Sequence, residues 1–320
     1  MGYLYGVVAI ILFGLNGPVA KVVMLGGATP IQLSFMREVI TFALAAIALL
    51  IFDRRGFRLS RKQILGMLAV GVFGVAGLQL AFAIAIKNLP VGIALLFEYC
   101  GVVLVAVFAT VIFKEPSRPR LWVGLGLVVV GLVVVANIGN GSLNPIGIIA
   151  GATAAITLAT YFLLGERMLV NASVMSVLFW SMLIGAAIWC IPAAPWSFDW
   201  SLMAEVHSLG GALSDVFVPL WIPTIWSGVL GTFTPYVFSY LAIKHLKATP
   251  AGILSTGEVA FSFLFGWLWL QEVLTFTQLI GVSLVVVGII AAQTARKQQH
   301  PADLTLASAE LAPTSSEQRL

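Results

Sequence analysis

Charge is what this sequence has least of. Only 9% of its 320 residues are Asp, Glu, Lys or Arg, whereas 60% are hydrophobic. Soluble domains average about 25% charged and 45–50% apolar residues. So few charges could not cover a surface in water, which excludes a cytosolic enzyme, a disordered protein and a secreted scaffold. A chain embedded in a lipid bilayer remains.

Cysteine and histidine are also scarce. Cys100 and Cys190 are the two cysteines, and both lie in apolar runs, so neither a disulfide framework nor a C-x-x-C redox motif is predicted. The three histidines are scattered, and no P-loop, G-x-S-x-G or H-E-x-x-H motif occurs. We therefore expect no catalytic residue, no metal site and no cofactor, and an enzyme is disfavoured.

Long hydrophobic runs are what the sequence has in their place. A spanning helix needs roughly 20 apolar residues, and a membrane β-barrel would need alternating polarity, which runs such as 123–136 do not show. The prediction is an all-α integral membrane protein with ten transmembrane helices. Their approximate ranges are 2–25, 31–52, 64–86, 91–113, 121–137, 145–165, 172–192, 216–243, 251–270 and 275–294.

The basic residues predict the orientation of these helices. Lys and Arg concentrate in the connections after spans two, four, six, eight and ten, which all fall on one side, whereas the long connection after span seven has none. The positive-inside rule therefore places both termini in the cytoplasm, in the inner (plasma) membrane. Because the basic residues serve orientation, no nucleic-acid partner is expected. Residues 298–320 are polar and predict a disordered cytoplasmic tail.

The chain repeats itself. Residues 90–98 and 250–258 share Pro, Gly and Ile at places one, three and four, and Glu at place nine. Residues 85–89 match 242–246, and the pattern Glu-x8-Gly-x6-Gly starts at both Glu115 and Glu272. A duplicated unit of five spans explains these matches, with repeats at 1–137 and 145–295. Five is odd, so the second repeat is inverted, as in many secondary transporters, whose site lies between the repeats near the midplane.

These motifs resemble the EamA family of the drug/metabolite transporter superfamily. Within the chain, residues 90–99, 231–236 and 252–258 look like the threonine/homoserine exporter branch of that family. The resemblance implies ten helices, alternating access, and export of a small amino acid or related metabolite. It also implies a role for Tyr99, which follows Glu98 in the first motif. The sequence leaves monomer and homodimer open.

Two glutamates occupy equivalent places in the repeats. Glu98 and Glu258 each lie eight residues past the proline that starts their span, which is about 12 Å deep at 1.5 Å per residue. Ionisable groups at that depth are costly and usually functional. Each glutamate could attract a substrate ammonium, exchange a proton, or tie two helices together. Ser255 shares the helical face of Glu258 and is a further candidate.

Span two carries the other buried charges, Arg37 and Glu38. Arg37 could meet a substrate carboxylate, or the two could form a polar tie that orients the bundle; both interpretations stay open. Lys21 lies near the end of span one, and this position favours a side chain that snorkels to the interface. Four further candidates could line a cavity or could serve packing and helix kinks. They are Asn16, Thr157, Tyr161 and Tyr236.

The prediction is thus a secondary transporter that exports a small amino acid or related metabolite across a lipid bilayer, with proton coupling as an open option. A transporter of another polar metabolite or of a drug-like amine is the alternative within that class. A polytopic membrane enzyme would need a convergent catalytic set at one membrane face, and none is found. A scaffold would have no need of inverted halves.

Overall fold

Apolar sequence folds into helices here because a helix satisfies its backbone hydrogen bonds internally, as a bilayer requires. The computed structural model describes residues 1–111, 119–137, 143–246, 251 and 254–294. Glu115 and the predicted tail, 298–320, lie outside these ranges. The helices are α1 Gly2–Leu25, α2 Pro30–Phe52, α3 Arg61–Ala69, α4 Gly77–Asn88, α5 Val91–Val111, α6 Pro119–Asn137, α7 Pro145–Leu169, α8 Val174–Ala193, α9 Trp221–Gly228, α10 Thr234–Leu246, α11 Gly257–Leu268 and α12 Phe276–Thr294.

Within the described ranges, five helical segments are long and apolar enough to cross a membrane. They are Gly2–Leu25, Pro30–Phe52, Gln63–Asn88, Pro145–Leu169 and Val174–Ala193. Four shorter apolar segments lie in α5, α6, α11 and α12. The chain is therefore a helical, multi-pass membrane protein.

Two of the predicted spans contain a wider, π-helical turn. Val70–Ala76 joins α3 to α4, and Val229–Phe233 joins α9 to α10. Both turns overlap a Gly-Val-x-Gly sequence, at 71–74 and 228–231, with the same offset of 157 that relates residues 85–89 to 242–246. Insertions of this kind are rare inside α-helices and are frequent at functional sites.

Span one forms one continuous helix around an internal proline. Pro18 lies inside α1, which runs unbroken from Gly2 to Leu25. A proline in a helix removes one backbone donor and bends the helix without necessarily ending it. Asn16, two residues before this proline, therefore lies within the helix.

The connection between α8 and α9 departs from the all-helical prediction. It contains two short strands, β1 Val206–Ser208 and β2 Phe217–Pro219, which pair antiparallel. Residue 216, where span eight was predicted to begin, precedes β2, and the helix begins only at Trp221. Asp199 starts a short helical turn, and hydrogen bonds from the Ser201 hydroxyl and amide hold the pKa of its carboxyl below the usual range.

The two halves of the chain pack against each other in reciprocal pairs. Helix α1 packs on α10 and α11, while α7 packs on α4 and α5; α2 packs on α8, and α6 packs on α12. At the last contact, a Cβ on Gly131 would lie 2.7 Å from the carbonyl oxygen of Gly281, and one on Gly288 would lie 2.7 Å from that of Gly124. Glycine at these positions allows α6 and α12 to approach each other closely.

Candidate functional site

A small polar cavity lies in the interior, where helices of both halves meet. Its volume is about 40 Å³, which is roughly enough for three waters. Helices α1, α2, α4, α5, α10 and α11 each contribute to its wall. The lining residues are Phe13, Asn16, Arg37, Leu78, Gln79, Phe82, Leu95, Glu98, Tyr236 and Glu258.

Arg37 is the positively charged residue of the lining. Its side chain is fully enclosed, and its Nε donates a hydrogen bond of 2.9 Å to Oγ1 of Thr232 in the π turn before α10. Its Nη1 atom is buried and has no hydrogen-bond partner in the described part of the chain. A buried guanidinium left partly unsatisfied is costly, so this group is available to an anionic ligand.

Glu98 and Glu258 supply two carboxyl groups to the same cavity. Oε2 of Glu98 is buried and has no partner among the described residues. Glu258 is held by the other half of the chain, since the Tyr99 hydroxyl donates a hydrogen bond of 2.6 Å to its Oε2. No ion pair within 4 Å joins Arg37 to either glutamate in the ranges described. The cavity thus brings a guanidinium and two carboxyl groups to one place without an ion pair between them in the described ranges.

Asn16 connects the cavity to the eighth predicted span. Its Oδ1 accepts a hydrogen bond of 3.0 Å from the Ser227 hydroxyl, and both side chains are buried. The π turn brings Gly231 so near that a Cβ there would overlap Oδ1 of Asn16. The side chain of Asn16 is therefore fixed on both sides.

Aromatic rings close one side of the cavity. Tyr236 meets Phe13 edge-to-face at a centroid distance of 5.2 Å and meets Tyr161 at 5.6 Å. Tyr161 also contacts Tyr240 at 5.6 Å. Such contacts stabilise a fixed arrangement of rings. Tyr161 therefore supports the wall through Tyr236 rather than lining the cavity.

Three of the predicted site residues lie elsewhere. Both carboxylate oxygens of Glu38 are buried without a partner among the described residues, and they face Gly185 of α8. Thr157 donates to the backbone of its own helix and packs on Gly77. Ser255 likewise donates to the carbonyl of Ala251. Hydroxyls that bond their own helix, as those of Thr157 and Ser255 do, are typical of packing positions.

Gln79 is the polar lining residue that the sequence reasoning missed. It is 3% exposed, and its Nε2 has no hydrogen-bond partner in the described ranges. The signal that points to it is a lone amide inside an apolar run, which is costly to bury for the same reason as a charge. For metals, the described residues contain no group of three or more His, Cys, Asp or Glu that could hold an ion.

Comparison with known proteins gives a consistent result. The model of the EamA-like transporter family matches residues 1–137 and 145–292. An uncharacterized transporter of Archaeoglobus fulgidus is 26% identical over 90% of this chain and 96% of the relative. The threonine/homoserine exporter RhtA of Escherichia coli (strain K12) is 25% identical over 78% of each chain. The resemblance inferred from the repeat motifs is confirmed by the family match.

A solved crystal structure has the same fold. It aligns with a TM-score of 0.62 over 97% of this chain and 98% of its own, at 18% sequence identity. The family and the named relatives are transporters, which supports transport across a membrane rather than enzymatic chemistry.

Proposed function

We propose that this chain, which belongs to the EamA-like transporter family, is a secondary transporter that exports a small zwitterionic amino acid. The observation that carries the proposal is one buried cavity lined by Arg37, Glu98 and Glu258, which form no ion pair among the described residues. The α-carboxylate of an amino acid would pair with Arg37, and its ammonium would pair with Glu98. Such a ligand would satisfy Nη1 of Arg37 and Oε2 of Glu98, which have no partner in the part of the chain that the structure describes.

Ten helices in two inverted repeats form the architecture that we propose. The reciprocal packing of the halves, the Gly131–Gly281 and Gly288–Gly124 contacts and the two π turns at one offset all support an internal two-fold relation. Transporters of this plan open alternately to the two sides of the membrane by rocking one half against the other. A cavity with room for roughly three waters fits a closed stage of that cycle.

Proton coupling follows from the two glutamates. A carboxylate can carry a proton or pair with an ammonium, but not both at once. Protons entering from outside would therefore displace the amino acid from Glu98 or Glu258, and the proton gradient would drive export. Competition between a proton and the substrate ammonium for one carboxylate is the simplest physical basis for their exchange in opposite directions.

A drug-like amine is the second candidate substrate. The lining has two carboxyl groups against one guanidinium, and the rings of Phe13 and Tyr236 add an apolar wall. An amine without a carboxylate could occupy such a site. The two candidates differ in whether Arg37 matters.

Counterflow in liposomes tests the proposal. We expect the reconstituted full chain to exchange labelled threonine or another small amino acid, faster with an opposing proton gradient. Arg37→Gln and Glu98→Gln should lower exchange at least tenfold. Arg55→Gln and Glu166→Gln remove the same charges from exposed positions and should have no effect.

Two results would contradict the proposal. Absence of counterflow for every labelled amino acid would exclude the substrate class. Wild-type transport and wild-type pH response in both Glu98→Gln and Glu258→Gln would exclude a role for the carboxylates. Transport that depends on Glu98 but not on Arg37 would favour the amine.

A further inference from the structure

Thr232 makes two hydrogen bonds with one oxygen atom. Its Oγ1 accepts from Nε of Arg37 at 2.9 Å and donates to the carbonyl oxygen of Ser227 at 2.9 Å. Thr232 and Ser227 are 0% exposed, and Arg37 is 195 residues away in sequence. A bond between the two halves of the chain thus lies directly beside the proposed substrate cavity.

The π turn is what makes this geometry available. Threonine in an α-helix bonds the carbonyl three or four residues earlier, whereas Thr232 bonds the carbonyl five residues earlier. The wider turn places that carbonyl within reach. A guanidinium can only donate, so the threonine oxygen accepts from Arg37, and its single hydroxyl hydrogen remains for Ser227.

The bond to Arg37 is neutral on the threonine side. It holds the guanidinium through Nε without cancelling its positive charge, and Nη1 stays without a partner among the described residues. A carboxylate partner at the same place would neutralise the arginine and remove its attraction for an anion. A hydroxyl therefore combines a fixed position with an undiminished charge.

Further bonds fix the turn that carries Thr232. The Thr41 hydroxyl of α2 donates to the carbonyl of Gly228 at 3.3 Å, and the Ser227 hydroxyl donates to Asn16 of α1. Thr41 is 0% exposed. The turn is thus attached to α1 and α2, which carry the lining residues Asn16 and Arg37, so its position and that of Arg37 are set together.

We propose that Thr232 is a positioning residue for carboxylate recognition: it orients Arg37 so that the free end of the guanidinium meets the substrate. The inference rests on the proposed function, because it assumes a ligand with a carboxylate at Arg37. It adds that selectivity for that carboxylate depends on a residue of the opposite half, in the π turn.

Threonine and its decarboxylated counterpart, 1-aminopropan-2-ol, are the probes that test this. In the reconstituted full chain, Thr232→Val should raise the half-saturating threonine concentration about tenfold, because it removes a buried hydrogen bond to a charged group. The maximal rate should change less than twofold, and the inhibition constant of 1-aminopropan-2-ol should be unchanged. Thr232→Ser keeps the hydroxyl and should restore the wild-type values.

Two controls make the result specific. Thr224→Val removes a hydroxyl of the same predicted span whose partners among the described residues are the Leu220 carbonyl and Met203, and it should leave threonine affinity unchanged. In an Arg37→Lys background, Thr232→Val should add nothing further, because the side chain that it positions is gone. If Thr232→Val does not fold, the smaller Thr232→Ala takes its place in every comparison.

Each outcome decides between distinct failures. Unchanged threonine affinity in Thr232→Val, or an equal loss for threonine and 1-aminopropan-2-ol, overturns the positioning role. An additive loss in the Arg37→Lys background overturns it as well. If the wild-type chain exchanges no labelled amino acid at all, the proposed function has failed.

Discussion

Lys21 Nζ lies 2.6 Å from Oε1 of Glu272, which joins the end of α1 to the segment that follows α11. The other oxygen of Glu272 accepts a hydrogen bond of 2.9 Å from the backbone amide of Val91, at the start of α5. One carboxylate therefore fastens three segments from both halves. With the termini in the cytoplasm, as proposed, this contact lies at the outer ends of the spans.

We expect the Lys21–Glu272 contact to stabilise closure of the outer face. Lys21→Met should shift the equilibrium toward the outward-open state about fivefold, the equivalent of about 1 kcal/mol for a partly exposed pair. Glu272→Ala should shift it further, because it also removes the acceptor of the Val91 amide. The measurement is the rate at which an impermeant thiol reagent labels Leu95→Cys in the cavity wall.

The native cysteines, Cys100 and Cys190, are replaced by serine in every chain used for this labelling. Arg55→Gln, which removes an exposed charge elsewhere, serves as the control and should label at the unmodified rate. The three-way contact would be contradicted if Leu95→Cys were labelled no faster in the Glu272→Ala variant than in the Lys21→Met variant.

Two substitutions at the Tyr99–Glu258 hydrogen bond should affect stability and proton coupling separately. Tyr99→Phe leaves a buried carboxylate oxygen without its donor and should lower the free energy of unfolding by about 1–3 kcal/mol. Glu258→Gln keeps an acceptor for the tyrosine and should remain near wild type in stability. It should nevertheless lose acceleration by a proton gradient, since an amide cannot carry the exchanged proton.

Thermal midpoints in detergent and gradient-driven flux in liposomes are the two measurements for this pair. Equal destabilisation by both substitutions would mean that the charge of Glu258, rather than its acceptor oxygen, holds the helices together. Gradient-driven flux at the wild-type level in Glu258→Gln would place the proton elsewhere.

Glu38 predicts a stabilising substitution. Its two oxygens are fully buried, have no partner in the described ranges and face Gly185. Replacing a buried, unsatisfied acid with an apolar side chain of similar size is often stabilising. Glu38→Met should therefore raise the free energy of unfolding by about 1–3 kcal/mol and leave exchange unchanged.

Glu38→Gln is the matched control, because the amide keeps polar atoms at the same place and should gain much less. The thermal midpoint and the rate of labelled threonine exchange are measured for both. Loss of exchange in Glu38→Met together with normal folding would show that the carboxyl serves transport after all.

The repeat was the most informative part of the sequence. It singled out Glu98 and Glu258, and both line the same cavity, because equivalent depth in the two halves brings the two positions to one level of the bundle. Helices were predictable from the apolar runs alone. The periodic pattern could not tell Glu38 from Arg37, since adjacent residues in a helix point in directions about 100° apart and only packing decides which one meets the cavity.

Other features have no local signal. Lys21 pairs with Glu272 rather than snorkelling alone, and the two are 251 residues apart, so no spacing rule could connect them. The π turns alter the helical register within sequences that read as ordinary apolar helix. The β1–β2 pair at 206–208 and 217–219 shortens the eighth predicted span because backbone pairing overrides the apolar character of 216–219.

The orientation of the two repeats can be tested by one matched pair of cysteines. Arg58 lies between α2 and α3, and Asp215 lies at the corresponding offset of 157, between α8 and α9; both are exposed. Inverted repeats place equivalent connections on opposite sides of the membrane, whereas parallel repeats place them on the same side.

In a chain with Cys100 and Cys190 replaced by serine, an impermeant reagent added outside intact cells should label Asp215→Cys only. Arg58→Cys should react only after the cells are opened, since the basic connection containing it is predicted to be cytoplasmic. Labelling of both from one side would contradict the inverted repeat, and the opposite pattern would reverse the orientation while preserving the inversion.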